Sequence, residues 1–341
     1  MRLRCPSCGS GSCVNSADNV IQAAPTLYAK CASCSDLVLD KQAQINLDSI
    51  SFDDLTCKNC GRRPLDAVMA HILSLSTEKE SRPTELTLRQ VGTPLLSPGV
   101  PTYAPPYVGY QNLLLLTKER IIADASDLIL KNVSEVKGVI FGDMKRVIGL
   151  ANSRAAPYTC RVLAGCDMRA DLVTSAYGQI LVHKSQSKIH IEHDNKTKME
   201  KLGTLPIAGR VVLDALAGPG TLGLMSVLMG AQKVILNDAW LPAVENAYLN
   251  LQANREILGI RTLRRASVKK RASSRAPNLY CTATTDHTVI ELYHGEFEEF
   301  NIQDSGVQLI LFDSFPNAER YFMDMAEEIR KRYPEIDIVC I

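Results

Sequence analysis

Val211-Val212-Leu213-Asp214-Ala215-Leu216-Ala217-Gly218-Pro219-Gly220 decides the reading of this chain. Three aliphatic residues end in an acid and pass into a turn with two glycines two positions apart. An apolar run of this kind reads as a buried parallel strand. Glycines so placed let the backbone approach a ligand closely. Further on, Val234-Ile235-Leu236 forms a second aliphatic run that ends in Asn237-Asp238. An acid at the tip of a second strand can take ribose hydroxyls. Together these residues imply a nucleoside-containing cofactor.

The pattern continues outward from that turn. Strands are expected at Arg210–Leu213, Lys233–Leu236, Val289–Tyr293, Val307–Phe312 and Ile336–Ile341, with helices at Thr221–Met229, Leu241–Leu258 and Ala318–Arg332. Strands alternating with helices imply a parallel α/β sheet with right-handed crossovers. Ligands of such sheets bind at the carboxyl ends of the strands. Asp214, Asp238, Glu296 and Asp313 follow the first four strands and are therefore expected along one edge. Gly218-Pro219-Gly220-Thr221-Leu222-Gly223 also matches G-x-G-x-x-G, although the preceding acid carries more weight than that match.

The 341 residues suffice for two or three domains, and 46% hydrophobic with 22% charged residues is ordinary for a globular protein. A formal net charge of +1 gives no whole-chain argument for nucleic acid. Met1-Arg2-Leu3-Arg4 runs into a cysteine motif without an apolar core, so no secretory signal is read. No aliphatic run is long enough to span a bilayer. A cytoplasmic protein with reduced thiols is expected, and its 11 cysteines need a role other than disulfides.

Seven of them fall within the first 60 residues, as Cys5-x-x-Cys8-Gly9, Cys13, Cys31-x-x-Cys34 and Cys57-x-x-Cys60-Gly61. Two residues between cysteines turn both thiolates toward one metal, and two such pairs make a closed, structural four-thiolate zinc site. The favoured set is Cys5, Cys8, Cys31 and Cys34. Cys57 and Cys60 would then look to Cys13 or His71. Pairing Cys5 and Cys8 with Cys57 and Cys60 is the competing arrangement. His71 falls in an expected helix from Pro64 to Ser76, where a histidine with a packing role is the preferred reading.

The resulting organisation is a cysteine module at 1–62, a helical linker at 63–83, a small α+β substrate-recognition domain at 84–203 and the α/β domain at 204–341. Within the small domain, strands are expected at Leu113–Leu116, Val136–Ile140, Gly178–Val182 and Lys188–Ile191. Its Arg154, Arg161, Arg169, His183, His190 and His193 are candidates for a substrate groove, with solvated faces as the default.

Asp214-Ala215-Leu216-Ala217-Gly218-Pro219-Gly220, followed by Asn237-Asp238, resembles the first cofactor motif and its successor in class I S-adenosylmethionine-dependent methyltransferases. Within that superfamily the chain is most similar to tRNA guanine methyltransferases, the guanine-N1 enzymes and their wybutosine-pathway relatives, and more loosely to the guanine dimethyltransferases. In those families N-L-P, then A, then F-L-D-x-A, follows the fourth strand. Here Asp313-Ser314-Phe315-Pro316-Asn317-Ala318 continues to Tyr321-Phe322-Met323-Asp324-Met325-Ala326. Leu163-Ala164-Gly165 and the β-rich run to Glu200 resemble the small domain that precedes the methyltransferase fold, so the likeness covers residues 136–341.

The resemblance implies that Asp214 braces the cofactor loop, Ala217, Gly218 and Gly220 admit the cofactor, Asn237 and Asp238 hold its ribose side, and Glu296 its adenine. It makes Asp313 the candidate contact to the substrate nucleophile, with Phe315 and Pro316 as a wall of the acceptor pocket. There are departures. Asp313-Ser314-Phe315-Pro316 lacks the asparagine of N-L-P, Ala176-Tyr177-Gly178 lacks an expected acid, and five strands stand where the fold usually has seven. A tRNA partner draws separate support from Arg261, Arg264, Arg265, Lys269, Lys270, Arg271 and Arg275, a cationic stretch without acids. The bland alternative is a solvated insertion. A protein methyltransferase and a non-catalytic zinc scaffold with a vestigial cofactor fold remain the rival functions.

Overall fold

The computed structural model describes residues 3–78, 86–102, 104–143, 146, 148–150, 156–190, 195–266, 275–313 and 319–341. The chain divides into two compact units. One comprises Met1–Ile21, Lys145–Thr159 and Leu172–Ile341, the other Gln22–Met144 and Cys160–Asp171. This division differs from the expected four-part order, since residues 1–21 group with the C-terminal unit.

The helices are α1 (Ala17–Ala23), α2 (Leu65–Thr77), α3 (Leu88–Val91), α4 (Arg120–Asp124), α5 (Ser126–Asn132), α6 (Lys196–Gly203), α7 (Thr221–Leu228), α8 (Leu241–Ala253) and α9 (Glu319–Arg332). The strands are β1 (Arg63–Pro64), β2 (Thr93–Leu96), β3 (Tyr107–Val108), β4 (Leu113–Thr117), β5 (Val136–Phe141), β6 (Arg161–Gly165), β7 (Met168–Ser175), β8 (Gly178–Ser185), β9 (Val211–Asp214), β10 (Lys233–Asp238), β11 (Thr262–Arg265), β12 (Asn278–Thr284), β13 (Val289–His294), β14 (Leu309–Phe312) and β15 (Asp337–Cys340). No described helix is long and apolar enough to cross a membrane.

The larger unit is built on a sheet ordered β11-β12-β13-β10-β9-β14-β15. Strands β13, β10, β9, β14 and β15 run parallel. Their sequence order reverses between β9 and β14, which makes that edge the topological switch point of a doubly wound α/β sheet. Register places Asp214 between Leu236 and Leu311.

Alternate residues of these strands feed two cores. Val212, Val234, Leu236, Leu309 and Leu311 pack with Leu222, Leu224 and Met225 of α7 and with Val244, Ala247 and Leu251 of α8. Leu213, Ile235, Ile310 and Phe312 pack with Phe322, Ala326 and Ile329 of α9 on the other side. Burial on both faces explains why these strands read as unbroken aliphatic runs.

Three expectations are corrected. Among the described residues the sheet has seven strands, not five. The extra pair, β11 and β12, runs antiparallel and joins at the β13 edge, where arginines on largely exposed β11 hide any apolar alternation. Helix α8 stops at Ala253, because Asn254 takes a non-helical conformation at its C-cap. Lys188–Ile191 is not a strand among its described residues. Instead β8 runs on to Ser185, whose carbonyl accepts the amides of Lys188 and Ile189 in a turn.

The smaller unit holds a four-stranded sheet ordered β2-β4-β5-β6. Its core unites Val68, Ile72 and Leu73 of α2 with Leu113, Leu115, Val136 and Val139 of the sheet. Arg63 is locked to Glu135 by two hydrogen bonds of 2.7 and 2.6 Å, both side chains being buried. Such a pair is costly to break, because one charge would be left buried alone.

Candidate active site and cysteine clusters

The turn after β9 is tied to the tip of β10. Ala217 donates its amide to the Asn237 carbonyl at 2.9 Å, and Gly218 donates its amide to Asp238 Oδ2 at 2.8 Å. Asp238 Oδ1 accepts the Trp240 amide at 2.7 Å. Gly218 has φ +53° and Gly220 φ +89°, left-handed conformations that favour glycine. A Cβ on Gly218 would enter open space, so the backbone here borders a free volume.

Gly223 serves a different end. A Cβ there would lie 2.1 Å from Leu236 Cδ2, so α7 can sit on β10 at this distance only without one. That proximity brings the Gly223 amide within 2.9 Å of Asp214 Oδ2. The other carboxylate oxygen, Asp214 Oδ1, is buried with no hydrogen-bond partner among the described residues. Burial first, and then the neighbouring Asp313 carboxylate, push Asp214 up to about 8. Asp238 is pushed up to about 6 by burial, against the opposing pull of its two amides.

Asn237 cross-links the strand tips. Its Nδ2 donates to the Gly295 carbonyl at 3.1 Å and to that of Ala215 at 3.4 Å, while its buried Oδ1 has no partner among the described residues. Glu296, just past β13, donates its amide to the Arg275 carbonyl and places its carboxylate 3.7 Å from the Arg275 guanidinium. Asp313, just past β14, accepts a 2.6 Å hydrogen bond from Lys198 Nζ of α6. Asp214 and Asp238 end β9 and β10, and Glu296 and Asp313 follow β13 and β14. Phe315 and Pro316 lie outside the described residues. Lys198 was not anticipated; its only sequence signal is a position in a polar helix upstream of β9.

The cationic stretch is partly spent locally. Arg261 forms a two-pronged pair with Asp286 at 3.0 and 2.8 Å. Arg265 lies 4.7 Å above the Tyr280 ring and 5.5 Å above that of Tyr248. Arg275 faces Glu296 and Glu299. Arg264 is exposed on β11, and Lys269, Lys270 and Arg271 lie outside the described residues.

In the smaller unit the cysteines regroup. Cys31, Cys34, Cys57 and Cys60 place their four sulfurs within 4.8 Å of one another. Neighbouring sulfurs are 3.5 to 3.6 Å apart. Tetrahedral zinc with bonds of about 2.3 Å sets its sulfurs about 3.8 Å apart, so the set fits that ion closely. The favoured grouping of Cys5 and Cys8 with Cys31 and Cys34 is corrected, and so is that of Cys5 and Cys8 with Cys57 and Cys60. The backbone amide of Ser33 draws the Cys31 thiol down to about 6, those of Cys60 and Asn59 draw Cys57 down, and burial lifts Cys34 to about 12. His71 is not a ligand in this set; it stacks on Phe52 at 4.6 Å with Nδ1 3.1 Å from Arg63 Nη1.

In the larger unit, Cys5, Cys8 and Cys13 bring their sulfurs within 4.8 Å of one another. The two C-x-x-C-G turns share one backbone plan. Cys57 donates to Arg62 and accepts from Gly61 at φ +69°; Cys5 donates to Ser10 and accepts from Gly9 at φ +76°. This turn aims both thiols of a pair to the same side.

No family model and no curated protein matches the chain. Solved structures do. TYW2 of Pyrococcus horikoshii in complex with MeSAdo aligns with a TM-score of 0.43 at 15% identity, covering 75% of this chain and 74% of that one. The tRNA m1G37 methyltransferase of M. jannaschii gives 0.40 at 15% identity over 76% and 61%. Trm5b of Pyrococcus abyssi gives 0.38 at 14% identity over 63% and 53%, so the chain spans about half the length of that protein.

Proposed function

We propose that the chain is an S-adenosylmethionine-dependent methyltransferase whose substrate is a base in tRNA. The observation that carries the cofactor reading is a pair of hydrogen bonds to two strand-tip acids, from Gly218 in the turn to Asp238 and from Gly223 at the start of α7 to Asp214, at the switch point of a doubly wound sheet. The site fits a nucleoside on three counts. Gly218 borders open space. Asp238 spends two of about four lone-pair sites on amides and keeps the rest for ribose hydroxyls. Glu296, just past β13, is the residue assigned to accept a hydrogen bond from an adenine amino group.

The cofactor, when bound, supplies a methyl group on a sulfonium to an in-line nucleophile. The chain's part is to align and to hold charge, and alignment accounts for much of such a barrier. Asp313 accepts the hydrogen bond or proton of the nucleophile, and Lys198 fixes its carboxylate through a charge-assisted hydrogen bond. The tRNA reading rests on exposed Arg264 and the cations at 269–271, since Arg261, Arg265 and Arg275 are already engaged. Zinc on Cys31, Cys34, Cys57 and Cys60 has a structural role, and Cys5, Cys8 and Cys13 supply three thiolates to a second ion.

Incubating the protein with methyl-labelled cofactor and a cell extract, then digesting RNA and protein separately, tests the substrate. Label in tRNA, with binding that weakens steeply as salt rises, is expected. Label confined to protein would replace tRNA by a protein substrate, and no label in either would remove the catalytic reading.

A further inference from the structure

Helix α8 and its C-cap carry Asn246, Asn250 and Asn254, spaced four residues apart and essentially fully buried. Their Oδ1 atoms accept the amides of Ser185, His183 and Leu181 at 2.8, 2.7 and 2.8 Å. The partners are alternate residues of β8, met in reverse order. Four helical residues rise about 6 Å, and two strand residues about 6.6 Å. The two repeats match, so one helix face reads the edge of a strand as a neighbouring strand would. Asn254 completes the exchange by returning a 2.7 Å bond to the Leu181 carbonyl, and Asn250 by returning 2.9 Å to that of His183.

Asn250 does one thing more. Its Nδ2 also donates to the Pro219 carbonyl at 2.8 Å, inside the Gly218-Pro219-Gly220 turn. Asn246 Nδ2 goes to Pro242 within its own helix, and the remaining Asn254 bond goes to the Asn250 carbonyl. Among the three, Asn250 alone joins the strand to the turn. Gly218 and Gly220 lie to either side of the anchored carbonyl, and both need their left-handed conformations for the turn to keep its shape.

We infer that Asn250 is a positioning residue for the cofactor turn: it clamps the Pro219 carbonyl to β8 and so presets the backbone that receives the nucleoside. This rests on the cofactor reading proposed above. Preorganisation of this kind adds affinity by removing an ordering cost, without touching the ligand.

The neighbouring asparagines supply the control. S-adenosylhomocysteine is titrated calorimetrically into the full chain and into Asn250→Ala and Asn254→Ala, well below each melting midpoint. Both variants lose stability, because each strands buried strand amides. The expected result is binding about tenfold or more weaker in Asn250→Ala and within about threefold of wild type in Asn254→Ala, a tenfold change being the scale of one well-placed hydrogen bond. Equal loss in the two variants overturns the inference. Failure of the wild-type chain to bind overturns instead the cofactor reading beneath it. Hydrogen exchange on the unmutated protein guards against a variant that does not fold. Adding S-adenosylhomocysteine should slow exchange at the His183 amide more than at Leu181 and Ser185, and equal or absent slowing contradicts the clamp.

Discussion

Lys198 Nζ lies 2.6 Å from Asp313 Oδ1, joining a helix that precedes the sheet to the tip of its fourth parallel strand. Both side chains are only partly exposed, at 21% and 28%, so solvent screens the pair incompletely. The ammonium therefore fixes where the Asp313 carboxylate sits.

Replacing that ammonium separates turnover from cofactor binding. Lys198→Met is expected to lower the methylation rate on the order of a hundredfold, the scale of a misplaced catalytic group. Affinity for S-adenosylhomocysteine should stay within about threefold of wild type. Steady-state kinetics beside calorimetry checks this, and equal losses in both would assign Lys198 to the cofactor instead.

Gly223 cannot carry a side chain where it stands. A methyl group would lie 2.1 Å from Leu236 Cδ2 and 3.2 Å from Val234 Cγ1. Gly223→Ala should destabilise the chain by about 1–3 kcal/mol, read as a lower urea midpoint at unchanged slope. Trimming Leu236 to Ala in the same chain should make the two losses sub-additive, since the added methyl enters the space the leucine leaves.

Asp214 sets a pH dependence of stability. Its carboxyl is raised to about 8 in the folded chain against about 3.9 when unfolded. Between those values the folded state binds the proton that the unfolded state releases, so stability falls as pH rises from about 4 to 8. Asp238, raised to about 6, adds the same sign over the lower part of that window. Asn at position 214 (Asp214→Asn) keeps an acceptor for Gly223 and cannot titrate. Denaturation midpoints at pH 5 and pH 8 should therefore differ less in the variant than in wild type; an unchanged difference would remove Asp214 as the source.

The cysteine clusters predict a metal count. Elemental analysis of the purified chain should give two zinc ions. Cys57→Ser should lose one and Cys8→Ser the other, each leaving about one per chain. Stripping zinc should expose the Cys31 group to alkylation, and four-thiolate sites of this kind usually unfold locally without metal. Simultaneous loss of both ions in either variant would argue against two independent sites.

What the sequence revealed and what it hid follow from the range of the interactions. Strands β9 and β10 were legible because both faces are buried, so their residues are aliphatic without a break. The turn was legible because Gly218 and Gly220 need conformations that other residues avoid. The C-x-x-C turns were visible as local geometry. Which pairs meet was not, because Cys31 and Cys57 are brought together only by the fold around them. Exposed arginines mask strand alternation in β11, and in β12 the polar Asn278, Thr282 and Thr284 break up the apolar run. The repeat Asn246, Asn250, Asn254 stood in plain view, yet buried amides carry meaning only once β8 is known to run beside them. Lys198 and Asp313 are 115 positions apart, and no periodicity links two polar residues at that distance.

The most direct measurement is the binding of S-adenosylmethionine to the full chain and to Asp238→Ala. The lone tryptophan offers the signal, because the Trp240 amide is held by Asp238 itself. Saturable binding that changes Trp240 fluorescence, lost or weakened at least about tenfold in Asp238→Ala, is the predicted result. No saturable binding by fluorescence or calorimetry, or equal affinity in wild type and variant, would contradict the assignment of this turn and these strand tips to the cofactor.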